Sequence, residues 1–329
     1  MSKERPTMKD VADKAGVTQP TVSYVINGTA KVTDEVKKNV MNAINELNYK
    51  PNYYARALKT NKTNIVGIII PDISNQYYSS MVNIVEDALA KEHQRVIIGC
   101  TDYEKLTEES AIRHMMEYNL TGMIVMYQLA SKKAWTLLEK ANCRVVALET
   151  NQGHKNVICV NTDSFNGGYA ATECLIKKGR KKIAYVGQES HIDALIQRRM
   201  AYERAMDDYH LSDNKMIYST KSPGNKWKEG LQIGEQLLHE KIDGIVVSSD
   251  IVAAGILKVL IMNKINIPED ISVIGYDDIP LAELFIPSIS TIRQPMAEMC
   301  SLAVASVMKK NDEHSMQLLK PELIERETT

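Results

Sequence analysis

The fold of the N-terminal domain is decided by residues 7–27, which read TMKDVADKAGVTQPTVSYVIN. Thr7 can cap a first helix, Gly16 ends it, and Pro20 falls within the first turn of a second helix, where its missing N–H costs nothing. Two short helices joined through a glycine turn are typical of a helix-turn-helix, whose second helix enters the major groove of DNA. Ordinary helical hairpins also show this pattern, so these residues alone leave both interpretations open.

Charge is distributed unevenly along the chain. The 329 residues include 40 Lys+Arg and 41 Asp+Glu, a net charge of −1. Residues 1–62 carry 11 basic and 6 acidic side chains, whereas the remaining 267 residues carry 29 and 35, so a head of +5 precedes a body of −6. This asymmetry favours a DNA-binding module tethered to an acidic body.

The composition excludes several classes of protein. No apolar run approaches the ~18 residues needed to cross a membrane, and the N-terminus lacks an apolar signal core, so we expect a cytoplasmic protein with no membrane partner. The five cysteines form no Cys-x-x-Cys pair, which predicts neither a disulfide framework nor a zinc site. Because nucleophile-elbow, zinc-protease and Walker motifs are missing, we expect no catalytic residues, no metal and no cofactor.

A third helix is predicted from about Asp34 to Leu47, and Thr33 stands directly before it. Motifs spread over the first 60 residues then resemble those of a known family. The motifs are KDVA at 9–12, AGVT at 15–18, TVS at 21–23, PN at 51–52 and ARAL at 55–58. In this order and spacing they closely resemble the lactose-repressor (LacI) family of bacterial transcription regulators.

The resemblance implies a helix-turn-helix DNA-binding domain at 1–50 and a hinge helix at 51–62 that folds only on double-stranded operator DNA. Two hinges, one from each subunit of a homodimer, would enter the minor groove. The implied DNA-binding residues are Thr18, Gln19, Pro20, Thr21, Ser23, Tyr24, Asn27, Asn52, Ala55 and Leu58.

Within this set, the family positions of Gln19, Pro20 and Tyr24 face base edges, and Gln19 could bind adenine bidentately. Many family members have arginine in place of Tyr24, so this chain would differ in preference at that base pair. Leu58 would be the apolar wedge that kinks the DNA, with Ala55 beside it, or alternatively a core residue of the body. Thr18, Thr21, Ser23 and Asn27, together with Lys31, would contact phosphates, which position the protein without specifying sequence.

The body from residue 63 alternates β-branched runs with helical stretches. The first run, IVGIII at 65–70, is typical of a strand buried on both faces. Similar runs follow at 95–100, 122–126, 144–148, 157–160, 182–187, 243–248 and 271–276. Strands that alternate with helices of 10–15 residues predict an α/β fold with parallel sheets, and their number suits two lobes.

The family resemblance continues through the body. Matching motifs are GRKKIA at 179–184, IPEDISVIGYDD at 267–278, STIRQP at 290–295 and ELIER at 322–326. They imply a fold like that of periplasmic binding proteins, with two lobes joined by three crossing strands. The expected N-terminal lobe comprises 63–163 and 292–326, and the expected C-terminal lobe comprises 164–291.

A ligand site is expected between the lobes, because ligands in parallel α/β folds bind beyond the carboxyl ends of the strands. Carboxylates and aromatic rings at these ends suit a sugar, and the family positions of Arg198 and Asp277 contact the effector. The expected effector-binding residues are Asp72, Ser74, Tyr77, Glu149, Arg198, Trp227, Ser249 and Asp277.

Several alternatives stay open for this site. Asp163 and Asp250 each precede a helix and could cap it instead of binding ligand. Arg199 could point inward in place of Arg198. Trp227 lies about two residues from the expected aromatic platform and could be a surface anchor.

The predicted function is a DNA-binding repressor controlled by a small effector, a sugar or a sugar derivative. An alternative is a regulator of the same fold that a corepressor or a partner protein activates, as in the catabolite-control branch. A pure solute-binding protein would have no use for residues 1–62.

Overall fold

The structure is a computed structural model, and it describes residues 6–27, 30–49, 63–150, 153–189, 192–220, 226–309 and 317–329. The chain divides into two units, residues 1–63 and 64–329. The predicted hinge at 51–62, with its DNA-binding candidates Asn52, Ala55 and Leu58, lies outside the described residues.

The first unit contains the three helices α1 (Met8–Ala15), α2 (Gln19–Asn27) and α3 (Asp34–Leu47). The side chains of Thr7 and Asp10 form a reciprocal capping box at the start of α1. Gly16 ends α1 with a φ of 65°, which glycine adopts without strain. The helices share a small core made by Val11, Ala12, Val22, Val40, Ala43 and Tyr49. The predicted three-helix arrangement is confirmed.

The second unit contains two six-stranded sheets. The first sheet has the order β11-β5-β4-β3-β1-β2, and all of its pairs are parallel. Its strands are β1 (Ile65–Ile70), β2 (Arg95–Cys100), β3 (Gly122–Val125), β4 (Arg144–Leu148), β5 (Val157–Thr162) and β11 (Gln317–Leu319). The helices that belong with this sheet are α4 (Gln76–Lys91), α5 (Lys105–Met116), α6 (Lys132–Glu139) and α12 (Met296–Met308).

The second sheet has the order β12-β10-β9-β8-β6-β7, and β12 runs antiparallel to β10. Its strands are β6 (Ile183–Gln188), β7 (Met216–Thr220), β8 (Gly244–Val247), β9 (Ser272–Asp277), β10 (Ser290–Arg293) and β12 (Glu322–Ile324). Its helices are α7 (Ser164–Lys177), α8 (Asp193–Asp208), α9 (Lys226–Leu237), α10 (Asp250–Met262) and α11 (Pro280–Leu284), and a short 3-10 turn spans Ser212–Asn214. The predicted fold class, a two-lobed α/β body behind a helix-turn-helix domain, is confirmed.

The chain passes between the two lobes three times, at Asp163, at 294–295 and at 320–321. The segment 292–326, expected to belong wholly to the first lobe, is divided between the lobes. Helix α12 and strand β11 lie in the first lobe, whereas β10 and β12 lie in the second. The expectation was wrong for these two strands because β12 pairs with β10, with Ile324 opposite Thr291, and so satisfies the outer edge of that strand.

Among the described residues, every helix is too short or too polar to cross a membrane. Within the same ranges, no three His, Cys, Asp or Glu side chains converge in the way that metal ligands would.

Candidate functional site

Helix α2 presents the candidate DNA-contacting residues of the first unit. Thr18, Gln19, Pro20 and Tyr24 are exposed, whereas Val22 is fully buried and anchors the helix to the three-helix core. The Thr18 hydroxyl accepts from the backbone N–H of residue 21 at 3.4 Å and so caps α2. This packing directs the start of α2 and the ring of Tyr24 to solvent, as a recognition helix requires.

The other candidates of α2 take different positions. Thr21 and Ser23 are half-buried, and the Thr21 hydroxyl lies 2.9 Å from that of Thr18. Asn27 is the last residue of the helix. Half-buried hydroxyls at the edge of a recognition helix suit contacts to phosphates better than contacts to bases.

A cavity of about 640 Å³, its open mouth included, lies between the two lobes of the second unit. Five of the predicted effector residues line it: Tyr77, Glu149, Arg198, Ser249 and Asp277. They come from α4, α8 and the carboxyl ends of β4, β8 and β9, so the chain brings both lobes to one ligand.

Three predicted effector residues do not line this cavity. The carboxylate of Asp72 accepts from the backbone N–H and the hydroxyl of Ser74, at 2.8 and 2.7 Å, and the two residues close an exposed turn before α4. Trp227 is 46% exposed, whereas its neighbour Lys226 lines the cavity. Helix α9 begins at Lys226. Because successive helical residues are rotated by about 100°, the side chain of Trp227 lies on a different face of the helix from that of Lys226 and does not line the cavity.

Arg198, and not Arg199, is the arginine of the cavity. Its guanidinium donates to the backbone oxygen of Ser248 at 2.9 Å and lies 3.5 Å from the ring centre of Tyr276. It also lies 3.8 Å from the carboxylate of Asp277. Arg199 is bonded to Glu203 on the surface at 3.0 Å. The buried guanidinium is therefore held by its aromatic and carbonyl neighbours with its plane fixed for a ligand.

The cavity holds two buried carboxylates beside this arginine. Burial raises the pKa of Glu149, and Arg198 opposes that rise. Burial likewise raises the pKa of Asp277, and it is opposed by Arg198 and by a hydrogen bond that Gln294 donates at 2.8 Å. For Arg198, burial acts to lower the pKa, but Tyr276, Asp277 and Glu149 outweigh it and the pKa is raised. The guanidinium therefore stays charged and offsets part of the negative charge of Glu149 and Asp277.

Both carboxylates stand on unusual backbone. Glu149 has a φ of 58° and Asp277 a φ of 109°, although neither is glycine. Such conformations cost about 1–3 kcal/mol each and persist where the surrounding structure holds them, which is common at functional sites.

Several polar atoms of the cavity wall are buried without a hydrogen-bond partner among the described residues. They are the Tyr77 hydroxyl, Glu149 Oε1, Arg198 Nε and Gln294 Oε1. A buried polar group without a partner costs about 1–3 kcal/mol. A ligand that donates to the oxygens and accepts from the guanidinium would recover this free energy.

Sequence reasoning missed an aromatic wall on the first lobe. Tyr78, Tyr103 and Tyr127 line the cavity, and the rings of Tyr103 and Tyr127 meet edge to face at 5.5 Å. Tyr127 comes two residues after β3 and Tyr103 three residues after β2. Applying the strand-end rule to every strand would have found both, and they replace Trp227 as the aromatic platform.

The two acids with an alternative capping role differ. Asp163 caps α7, since its carboxylate accepts from the backbone N–H of Asn166 at 3.0 Å. Asp250 does not cap its helix, because its carboxylate is fully buried and accepts from the Ile279 N–H at 3.0 Å and the Thr291 hydroxyl at 2.6 Å. Long-range partners therefore decided the role of Asp250.

Comparisons with known proteins agree over nearly the whole chain. Residues 7–52 match the family described as bacterial regulatory proteins, lacI family, and residues 172–329 match the periplasmic binding protein-like domain. The chain is 34% identical to the HTH-type transcriptional regulator RegA of Clostridium saccharobutylicum, over 98% of this chain and 99% of that protein.

Solved structures show the same fold. The Lac repressor bound to ONPG in its repressed state matches with a TM-score of 0.87 at 23% identity, over 99% of this chain and 100% of that chain. A LacI family transcriptional regulator from Enterococcus faecium with bound ribose matches with a TM-score of 0.73 at 25% identity, over 80% of this chain and 98% of that chain. These proteins are transcription regulators and not enzymes, as the motifs predicted. The chain belongs to the lacI family of bacterial regulatory proteins.

Proposed function

We propose that this chain is a repressor whose affinity for operator DNA is controlled by an uncharged sugar bound between the lobes of residues 64–329. It acts as a homodimer, because one helix-turn-helix reads only half of a pseudo-palindromic site. The observation that carries the ligand class is the set of buried, unpartnered atoms on Tyr77, Glu149, Arg198 and Gln294.

These atoms favour a ligand that both donates and accepts hydrogen bonds. The carboxyl oxygen Oε1 of Glu149 and the amide oxygen Oε1 of Gln294 need hydrogen-bond donors, whereas Arg198 Nε needs an acceptor. Sugar hydroxyls do both, and the C–H face of a sugar ring stacks on tyrosine rings such as Tyr103 and Tyr127. The ribose bound to the related regulator from Enterococcus faecium belongs to this class.

A phosphorylated ligand fits the cavity less well. The phosphate group of such a ligand is a dianion with only acceptor oxygens, so it could not itself supply the donors that Glu149 Oε1 and Gln294 Oε1 need. It would also meet the carboxylates of Glu149 and Asp277. This chemistry favours an uncharged inducer over a phosphosugar corepressor.

The DNA-binding surface combines α2 with the hinge. Gln19, Pro20 and Tyr24 read base edges, and the hydroxyls of Thr18, Thr21 and Ser23 contact phosphates together with Asn27. The hinge at 51–62 inserts Leu58 into the minor groove with Ala55 beside it, and Asn52 of the same hinge also contacts the DNA.

Control of operator affinity requires that the sugar bind one arrangement of the lobes better than the other, since equal affinity shifts nothing. A typical coupling of about 1–3 kcal/mol changes operator affinity roughly 5- to 150-fold. With an uncharged inducer the favoured arrangement is the one that binds operator less well.

The test is operator binding by the full chain at fixed salt, because phosphate contacts make affinity depend steeply on ionic strength. DNA selected from a random pool is titrated with and without D-ribose, D-glucose, cellobiose, ribose 5-phosphate and glucose 6-phosphate. We expect one uncharged sugar to weaken binding and the phosphosugars to have no effect. Tighter binding with a phosphosugar would instead establish the corepressor alternative.

A pair of variants locates the ligand. Arg198→Lys is expected to shift the sugar response to about 10- to 100-fold higher sugar concentration, because the planar fork is lost, whereas Arg199→Lys, changed at the adjacent surface residue, is expected to leave it unchanged. An equal response in both variants would place the sugar outside the cavity.

A further inference from the structure

A hydrogen bond crosses between the lobes at Gln128. Its side-chain Oε1 accepts from the backbone N–H of Asp193 at 2.9 Å. Gln128 follows β3 in the first lobe, and Asp193 is the first residue of α8 in the second lobe. Ile192, the residue before α8, offers no polar side-chain atom that could cap it. The first lobe therefore supplies the cap that this helix lacks in its own sequence.

The segment around Gln128 is fixed to the first lobe by a buried carboxylate. Glu108 is fully buried and accepts from the Tyr127 hydroxyl at 3.0 Å, the Ala130 N–H at 3.0 Å and the Ser131 N–H at 2.8 Å. These contacts lie on both sides of Gln128, which is itself only 3% exposed. The amide oxygen is therefore held on a rigid part of the first lobe.

On the other side, the hydrogen bond reaches the helix that carries the arginine of the cavity. Arg198 lies five residues after Asp193 on α8 and is fixed by Ser248 and Tyr276 of the second lobe. Tyr127, next to Gln128, lines the same cavity from the first lobe. The hydrogen bond thus connects the wall of the cavity that carries Tyr127 with the wall that carries Arg198.

We propose that this hydrogen bond, the cross-lobe cap, stabilises the lobe arrangement seen here and thereby sets the affinity of the cleft for its ligand. The second part of this statement rests on the proposed function, whereas the first does not. Gln128 does not line the cavity and acts as a positioning residue. Because an N–H···O bond fails beyond about 3.5 Å, a small separation of the lobes at this point breaks it.

Two substitutions remove the cross-lobe cap from opposite sides. Gln128→Met keeps the length of the side chain and removes the acceptor. Asp193→Pro removes the donor, and proline is tolerated at the first position of a helix. Ile192 has φ −76° and ψ 116°, the extended conformation that a residue before proline prefers. Asp193→Ala, which keeps the N–H and removes only the carboxylate, is the matched control.

The first measurement is amide hydrogen exchange of the full chain without ligand. Gln128→Met and Asp193→Pro are each expected to increase exchange about twofold to tenfold, the range that one neutral hydrogen bond supports, in peptides covering 126–131 and 194–200. Asp193→Ala should leave both peptides unchanged, and the effect of the double variant should be smaller than the sum of the two single effects, because both remove the same bond. Additive effects, or equal effects of Asp193→Pro and Asp193→Ala, would overturn the proposal.

The second measurement is calorimetric titration with D-ribose and with cellobiose. For whichever sugar binds, we expect both single variants to weaken affinity by the same factor that the exchange experiment gives. A change in exchange without a change in affinity would refute control of the cleft by the cap. If neither sugar binds, neither is the effector of the proposed function and control of the cleft fails for both, whereas the exchange experiment still decides whether the cap holds the lobes.

Discussion

Replacing Asp250 with asparagine is expected to remove a pH dependence from the stability of the protein without disrupting its fold. The carboxylate is fully buried and accepts from Ile279 N–H and the Thr291 hydroxyl. Burial raises its pKa well above the ordinary value, and the charge of Asp277 raises it further. An asparagine can accept from Ile279 and donate its amide N–H to Thr291, so both contacts survive.

The direction of the effect follows from the raised pKa. The folded chain binds this proton more tightly than the unfolded chain does, whose carboxyl titrates near 3.8. Stabilisation by Asp250 is therefore present at low pH and is lost as the pH rises from about 3.8 through the folded-state pKa. Within this window the free energy of unfolding of the natural chain falls by about 1.4 kcal/mol per pH unit relative to Asp250→Asn.

Alanine at the same position, unlike asparagine, is expected to destabilise the fold. Asp250→Ala leaves two buried groups, the Ile279 N–H and the Thr291 hydroxyl, without their acceptor. Each such loss costs about 1–3 kcal/mol, so we expect a destabilisation of about 2–6 kcal/mol.

The assay is urea unfolding of the full chain at pH 5, 6, 7 and 8, followed by circular dichroism. Buried acids that do not interact with Asp250 titrate equally in both proteins and cancel in the difference, whereas Asp277, whose charge acts on Asp250, contributes to that difference. The reasoning is refuted if the stability difference between Asp250→Asn and the natural chain is the same at every pH. It is also refuted if asparagine destabilises as much as alanine.

Three further predictions concern the first lobe, the cavity and the DNA surface. Glu108→Gln should cost about 2–4 kcal/mol in urea unfolding, because Ala130 and Ser131 donate to different oxygens and an amide offers only one; a cost below 1 kcal/mol would contradict this. Arg198→Lys should weaken sugar binding about 10- to 100-fold by calorimetry while operator affinity without sugar stays within threefold, since the charge remains but the planar fork is lost. Tyr24→Arg should favour guanine at one operator base pair by about 1–3 kcal/mol in a binding selection, and an unchanged base preference would remove Tyr24 from the reading surface.

Much of the cavity could be predicted because parallel strands place their carboxyl ends along one edge. Glu149, Ser249 and Asp277 follow β-branched runs, and the strand-end rule is enough to nominate them. Arg198 lies in the middle of a helix, where no such rule applies, and only the family resemblance identified it. Its burial depends on a neighbouring ring, Tyr276, that is distant in sequence.

The residues that were placed wrongly failed for local or long-range reasons that a strand pattern does not contain. Asp72 and Ser74 follow a strand, but they satisfy each other in a turn and turn away from the cavity. Trp227 does not line the cavity, because the residue at which its helix starts fixes the direction of every later side chain around the helix axis. Asp250 resembles a helix cap, yet partners 29 and 41 residues away bind its carboxylate.

The end of β9 is where ligand recognition and the connection between the lobes meet. Asp277 and Asp278 both have positive φ, and their carboxylates bind different partners. Asp277 faces the cavity and accepts from Gln294, which itself lies in a segment that crosses between the lobes. Asp278 binds Arg293 at 2.6 Å and Arg326 at 2.7 Å, the first at the start of that crossing segment and the second just after β12. Under the proposed function, a sugar hydroxyl that donates a hydrogen bond to Asp277 competes directly with the Gln294 amide, so sugar binding acts on the crossing segment itself.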